Sequence, residues 1–420
     1  MDDVKDRPRL SRWSRSVRKG LSARRIWGAA FGQTVGRVRA LRSVLHVYPQ
    51  RIDPASVARA RLDDGIPATA TIALDPHVDG FLNGFRESLG PCYAPGRLML
   101  RSDIRIFELT DCDVLPWLNL TVHRPSAAVV CGRPRTHRLT WSVPIRPVAG
   151  TALNVADMAS GVTNYYHFFE DLALTLRALR DVRGPERVAL LFSERVAGYQ
   201  RPILEALVGR YPHLSLEFVK RREMVRADRL IQVISARATH PICRFAHKEQ
   251  WREVGALVRA CHGIGPSRSP ASRRIYFSRN TQKTRRLANE AALRDVLTRH
   301  GYEFVVPESL PHAEQVRLMT EARTVVGVEG AALTNILFTD KPIAVLEIFP
   351  RGAAYPFWVA LALQLGHQYR HVMSDPAGIN DHITLDPTAL DAALRETGAI
   401  LPAMQSLGAP PASRETAGPR

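Results

Sequence analysis

TVVGVEGAALTNILF, residues 324–338, passes from a β-branched apolar run into Gly327, Glu329, Gly330 and two alanines, and then into a second apolar run. A short apolar run closed by glycine reads as a buried strand. Tiny residues just beyond it let the chain turn and let another group approach the backbone. The residues after them predict a short helix over 332–338, whose first N–H groups suit an anion such as phosphate. The stretch is not a GxGxxG fingerprint, and it is not a P-loop, because no Gly-Lys-Ser/Thr follows. A junction of this kind also serves plain packing, so its neighbours decide what it belongs to.

Downstream, IAVLEIF (343–349) is another strand, 354–365 an apolar helix and QYRHVMS (368–374) a further strand. Upstream, IYFS (275–278) and YEFVV (302–306) are strands separated by a helix over 289–300 that Gly301 closes. A second helix over 311–322 carries Pro311 in its first turn, where a missing N–H is tolerated. Strands alternating with helices predict a parallel sheet wound on both faces. An earlier alternation begins with a helix near 164–180. It continues through RVALLFS (187–193), a helix near 199–209, LSLEFV (214–219) and RLIQVIS (229–235). Residues 51–150 are irregular and strand-rich, with ATATIAL, RLML and AAVVCG among Pro, Gly and Asp.

The expected organisation is a basic arm (1–50), an N-terminal Rossmann-like domain (51–262), a Gly-Pro-Ser linker (263–273), a C-terminal Rossmann-like domain (274–404) and a disordered tail (405–420). Two such sheets facing each other place a ligand between them, at the carboxyl ends of the strands.

Of the formal net charge of +18, half lies in residues 1–48, which hold 12 Arg and Lys against 3 acids. Trp13, Trp27 and Phe31 are interleaved with them. That composition fits an amphipathic segment on an anionic membrane, a nucleic-acid arm or a solvated extension. The longest uncharged run of this arm, Ile26 to Gly36, is too short to span a bilayer, and no signal-peptide cleavage pattern follows it. Cys92, Cys112, Cys131, Cys243 and Cys261 are odd in number, widely spaced and free of CxxC pairs. They read as isolated reduced thiols, which agrees with a cytoplasmic address.

Three places carry candidate chemistry. In GVTNYYHFFEDLALTLRAL (161–179), Asn164, His167 and Asp171 share one helical face, and Thr163 or Asn164 can cap the helix. His167 and Asp171 are four apart, a spacing at which a carboxylate can orient an imidazole as a general base. Two ligands are too few for a metal, and none is expected. In IYFSRNTQKTRRLANE (275–290), Arg279 follows a strand, and Arg285 precedes a helix containing Asn289 and Glu290. Guanidinium groups pair with phosphate in a bidentate fork, although a solvated basic turn reads the same way. The third place is the opening stretch, where Asn335 can hydrogen-bond a sugar or phosphate.

Taken in order, NYYHFFED (164–171), IYFSR (275–279), RRLANE (285–290), AEQVRLM (313–319), VVGVEGAALTNILF (325–338) and VLEIFP (345–350) resemble glycosyltransferase family 61. Its bacterial members include capsular polysaccharide biosynthesis proteins. The resemblance covers roughly 155–350. It implies a GT-B-like α/β fold, with two Rossmann-like doubly wound domains facing a cleft. It also implies inverting transfer of a sugar from a nucleotide-sugar donor, a UDP-sugar being favoured, with no required cofactor or metal. Position by position it places Asp171 and His167 in catalysis. Arg279, Arg285, Gly330, Thr334, Asn335 and Glu329 fall on donor binding, with Asn164, Asn289, Glu290, Gln315 and Glu347 in support. The family often has histidine before the Gly-Ala pair; this chain has Glu329, which would repel a phosphate but can bind hydroxyls or orient an arginine. A glycan or lipid-linked saccharide acceptor is implied, handled on the inner face of the plasma membrane, with no nucleic-acid partner. The rival reading is a non-catalytic membrane- or nucleic-acid-associated binding protein with a degenerate site.

Overall fold

In the computed structural model, the described residues are 51–406 apart from 64–67, 103, 117–119, 127, 132–142, 156–163, 182–186, 222, 236–247, 268–269, 354–355 and 379. The basic arm and residues 407–420 of the tail lie outside them.

The C-terminal sheet follows the sequence reading closely. Its parallel strands are β13 (Arg273–Phe277), β14 (Tyr302–Val305), β15 (Ala322–Val328), β16 (Ala344–Pro350) and β17 (Gln368–Pro376). They lie in the order β14-β13-β15-β16-β17, and a short antiparallel β18 (Ile383–Thr384) follows on the edge. Numbered from β13, the parallel order is 2-1-3-4-5, a doubly wound arrangement in which the winding reverses between β13 and β15. Successive residues of a strand face opposite sides, so Val325 and Val345 enter one core and Val326 and Leu346 the other. Helices α6 (Glu290–Arg299) and α9 (Pro387–Ser406) cover the Val326 side. The Val325 side is covered by α7 (His312–Glu321), a 3-10 helix (Ala331–Phe338) and α8 (Phe357–Leu365). Pro311 caps α7 instead of lying in its first turn. Helix α9 has no counterpart in the sequence reading, and it runs past 405, where the disordered tail was expected to start.

The N-terminal sheet corrects the expectation of a second doubly wound domain. Its parallel part comprises β9 (Ile145–Asn154), β10 (Val188–Ser193), β11 (Leu214–Val219) and β12 (Met224–Ser235), in the order β11-β10-β9-β12. Beyond β12 the pairing is antiparallel, through β5 (Ile104–Leu109) and the meander β6 (Cys112–Leu115), β7 (Leu120–His123) and β8 (Ala128–Cys131). These strands are joined too closely in sequence for a crossover helix, so hairpin pairing is the available solution. Helices α3 (Tyr165–Asp181), α4 (Gln200–Arg210) and α5 (Lys248–Cys261) pack on the face that carries Leu153, Leu190 and Ile231. Among the described residues the opposite face, with Phe107, Ala152 and Leu191, has no helix in its core.

The apolar core runs without a break from α3 and α5 into the 3-10 helix and α8, joining the two sheets. Gly255 of α5 sits against the Leu337 carbonyl so closely that a Cβ would collide with it. A smaller unit crosses the other way. Strands β2 (Ala68–Ala73), β3 (Tyr93–Ala94) and β4 (Arg97–Ser102) form an antiparallel sheet, and helix α1 (Pro76–Asn83) docks on β17. Phe81 stacks on His371 at 3.8 Å and meets Phe349 edge-on at 5.2 Å, while Arg370 donates to Asp75 at 2.9 Å.

Cys92 is disulfide-bonded, which corrects the reading of five reduced thiols. Wide spacing in sequence does not keep cysteines apart in space, because the entropy of closing a loop grows only slowly with its length. Cys112, Cys131 and Cys261 form no disulfide. Among the described residues no helix is long and apolar enough to cross a membrane.

Candidate active site

Strand register brings the candidate donor residues together. Phe277 of β13 lies opposite Gly327 of β15, so Arg279 and Glu329, each two residues further on, both lie just beyond the carboxyl ends of these strands. This is where the winding reverses, the place where open α/β sheets bind ligands. Arg279 lies across Gly330 so tightly that a Cβ there would collide with its guanidinium, and its Nε donates to the Thr284 carbonyl at 3.1 Å. Burial, and then the neighbouring Arg285, push the Arg279 pKa down to about 10, so the group still carries its charge at neutral pH.

Arg285 holds a left-handed backbone (φ 54°), as do Asn380 (φ 60°) and Asp381 (φ 57°) across from it. Such conformations are uncommon for non-glycine residues and cluster where the surroundings over-determine them. Here the two loops are tied together. The Arg285 N–H donates to the Asn380 carbonyl at 3.1 Å, and the Ile383 N–H donates to the Arg286 carbonyl at 2.9 Å. The Arg285 guanidinium forms an ion pair with Glu329. Glu329 therefore orients an arginine, one of the roles open to it on sequence.

A cavity of about 640 Å³ opens beside this pair. Arg285, Glu329, Gly330 and Ala331 line one side; Asn164, Tyr166 and His167 come from α3; Phe357 and Trp358 come from α8; Asp381 and His382 close the rim. Helix α3 is held by Phe168, Phe169, Leu172 and Leu176 in the core. The Asn164 side chain accepts from the His167 N–H at 3.2 Å, so Asn164 is the helix cap, and it also borders the cavity. The imidazole of His167 bonds through Nδ1 to Glu170 at 3.1 Å, not to Asp171. This corrects the predicted His167–Asp171 couple. Glu170 is three residues on, and its longer side chain reaches back to the ring from a buried position. Half-buried Asp171 is not among the residues lining the cavity.

The other candidates divide into two groups. Gln315 and Asn335 border a neighbouring cavity of about 320 Å³ with Tyr165, Tyr199, Glu308 and His312. There the Tyr165 hydroxyl donates to Asn335 at 2.7 Å, and burial pushes the His312 pKa down to about 3. Thr334, Asn289, Glu290 and Glu347 form the frame. Thr334 is fully buried. Asn289 clasps the Leu385 backbone through two hydrogen bonds, at 2.7 and 3.1 Å. Glu290 accepts from the Tyr276 hydroxyl at 2.7 Å and from Asn280 at 2.6 Å.

Glu347 lies buried near Arg285 and accepts from the Tyr369 hydroxyl at 2.6 Å. Burial pushes its pKa up to about 8, with Tyr369 and Arg285 opposing the rise. The folded state thus keeps a proton that the unfolded chain releases above its ordinary value of 4.5. Stability from this group is complete below that value and is lost as the pH climbs to about 8. Replacing Glu347 with glutamine should flatten the fall in thermal midpoint across this window, as followed by calorimetry of both proteins.

Glu170 was within reach of sequence reasoning, since HFFED sets two acids at the helical spacings that meet a histidine. Asp381 and His382 follow β17 with no local motif to mark them. They reach the site only through the loop pairing with Arg285 and Arg286.

Two solved structures show distant likeness. A dodecameric iron-containing heptosyltransferase, TibC, in complex with ADP-D-beta-D-heptose is 14% identical, covering 66% of this chain and 83% of its own, with a TM-score of 0.28. The dodecameric glycosyltransferase TibC from enterotoxigenic E. coli H10407 is 13% identical, covering 71% and 82%, with a TM-score of 0.27. No curated protein matches the chain. The family model described as Glycosyltransferase 61 matches residues 165–346, which supply His167, Arg279, Arg285 and Gly330. This segment of the chain, somewhat under half of it, is similar to glycosyltransferase family 61.

Proposed function

We propose that this glycosyltransferase moves a sugar, with inversion, from a nucleotide-sugar donor to a hydroxyl of a glycan or lipid-linked acceptor. The observation that carries the reading is the meeting of His167 with Arg285 and Gly330 around one cavity. The Glu170 carboxylate accepts from Nδ1–H of His167, which leaves Nε2 free to take a proton. As the acceptor oxygen bonds to the anomeric carbon, its proton passes to Nε2 and the bond from that carbon to the diphosphate breaks. Arg279 and Arg285 stabilise the charge that collects on the departing diphosphate, the kind of preorganised electrostatic effect that dominates many enzymes. In this reading the two guanidinium groups supply the positive charge, the two sheets act as the lobes of a GT-B-type enzyme, and no metal is required. A UDP-sugar donor, surface polysaccharide synthesis and attachment to the inner membrane face through residues 1–48 complete the proposal.

A thermal-denaturation screen over nucleotide sugars tests it. The correct donor at a hundred times its Kd should stabilise the fold by ~2.7 kcal/mol. Stabilisation by one base and sugar combination, followed by transfer of that sugar, is the expected result. A chain indifferent to every nucleoside diphosphate sugar would overturn it.

A further inference from the structure

The Arg285–Glu329 ion pair sits where the proposed donor would place its diphosphate. Resting on that reading, we propose that Glu329 is a built-in competitor of the donor, holding Arg285 until a diphosphate displaces it.

Four observations lead there. Arg285 is committed to this spot by its backbone, because the left-handed conformation and the tie to Asn380 leave the side chain little choice of direction. Glu329 is likewise fixed, its N–H donating to the Ile348 carbonyl at 3.0 Å at the end of β15. The pair borders the cavity, with side chains 33% and 16% exposed, so an incoming anion can reach it. Finally, Arg279 beside it forms no ion pair with the carboxylate among the described residues and lies over Gly330, where any side chain would collide with its guanidinium. Two cations thus meet at this junction, and among the described residues Glu329 is the one anion in direct contact with either, while Asp381 and Glu347 act on Arg285 and Glu308 on Arg279 from further off. A diphosphate that takes the Nη1 face of Arg285 together with Arg279 releases Glu329, which then faces the same cavity as an acceptor for sugar or ribose hydroxyls. Small anions offer no hydroxyl to replace what the carboxylate loses, so the pair selects against them.

The sign of one measurement separates this from the alternative, in which Glu329 stays in place and reads a hydroxyl. Titration calorimetry on the full chain would follow inorganic pyrophosphate and UDP binding to the wild type, Glu329→Gln and Glu329→Ser. A hydrogen-bonded ion pair removed from competition should tighten both ligands at least ~10-fold. Glutamine keeps the shape of the side chain, and serine removes the arm, so both variants must move affinity the same way. Unchanged or weaker binding in both variants overturns the competitor role. If pyrophosphate binds the variants more tightly while UDP binds no form, the role stands and the nucleotide reading fails. If neither ligand binds any form, both fall.

Discussion

Replacing His167 with alanine is expected to lower turnover by ~10²–10⁴-fold, the range for loss of a general base. Nucleotide affinity should be nearly unchanged, because the imidazole enters from α3 and the proposed diphosphate contacts come from the other sheet. Glu170→Gln should lower turnover by a smaller factor and alter the pH–rate profile, since the amide holds the ring without the charge that stabilises an imidazolium. Steady-state kinetics with a nucleotide-binding assay on the same preparations check both. Full turnover in His167→Ala would mean that the proton leaves by another route, with Asp171 the next group to examine.

Arg285→Ala is the second large effect. A removed electrostatic stabiliser typically costs ~10²–10³-fold in turnover. Here the loss should be greater, because the substitution leaves Glu329 without its cation at the rim where the diphosphate gathers charge. Arg285→Lys keeps the charge but not the fork, so it should recover only part of the activity. Rates measured with donors of different leaving-group acidity give the diagnostic. The defect should grow as the leaving group becomes a poorer one, and a uniform defect would place Arg285 in binding alone.

How much of this was legible in the sequence depended on whether local pattern or distant contact decides each feature. The strands of the C-terminal sheet announce themselves because each is short, apolar and closed by a turn residue, and parallel burial on both faces needs that pattern. Arg279 and Gly330 were legible for the same reason, as both follow directly from strand ends. The choice between Glu170 and Asp171 was not, because spacings of three and four both reach a helical neighbour and only side-chain direction separates them. Of β5 and the β6 to β8 meander, the AAVVCG run of β8 was legible, while the rest was lost among Pro, Gly and Asp in a region where no helix sets the rhythm. The meeting of Arg285 with Asn380 joins residues far apart in sequence, and no local motif marks the bond at Cys92. Nothing local encodes such encounters.

The excursion of residues 68–102 onto β17 bears on how this enzyme can be taken apart. From β1 (Ala58–Arg61) in one sheet the chain crosses to the other and returns at β5, so the C-terminal lobe is completed by sequence that belongs to its counterpart. An excised C-terminal half would lose Phe81 from the aromatic group at Phe349, Tyr369 and His371, and Arg370 would lose Asp75. Neither half is a portable cassette. Recombining donor and acceptor specificities among relatives of this architecture would have to carry the 68–102 strap along with the lobe it braces.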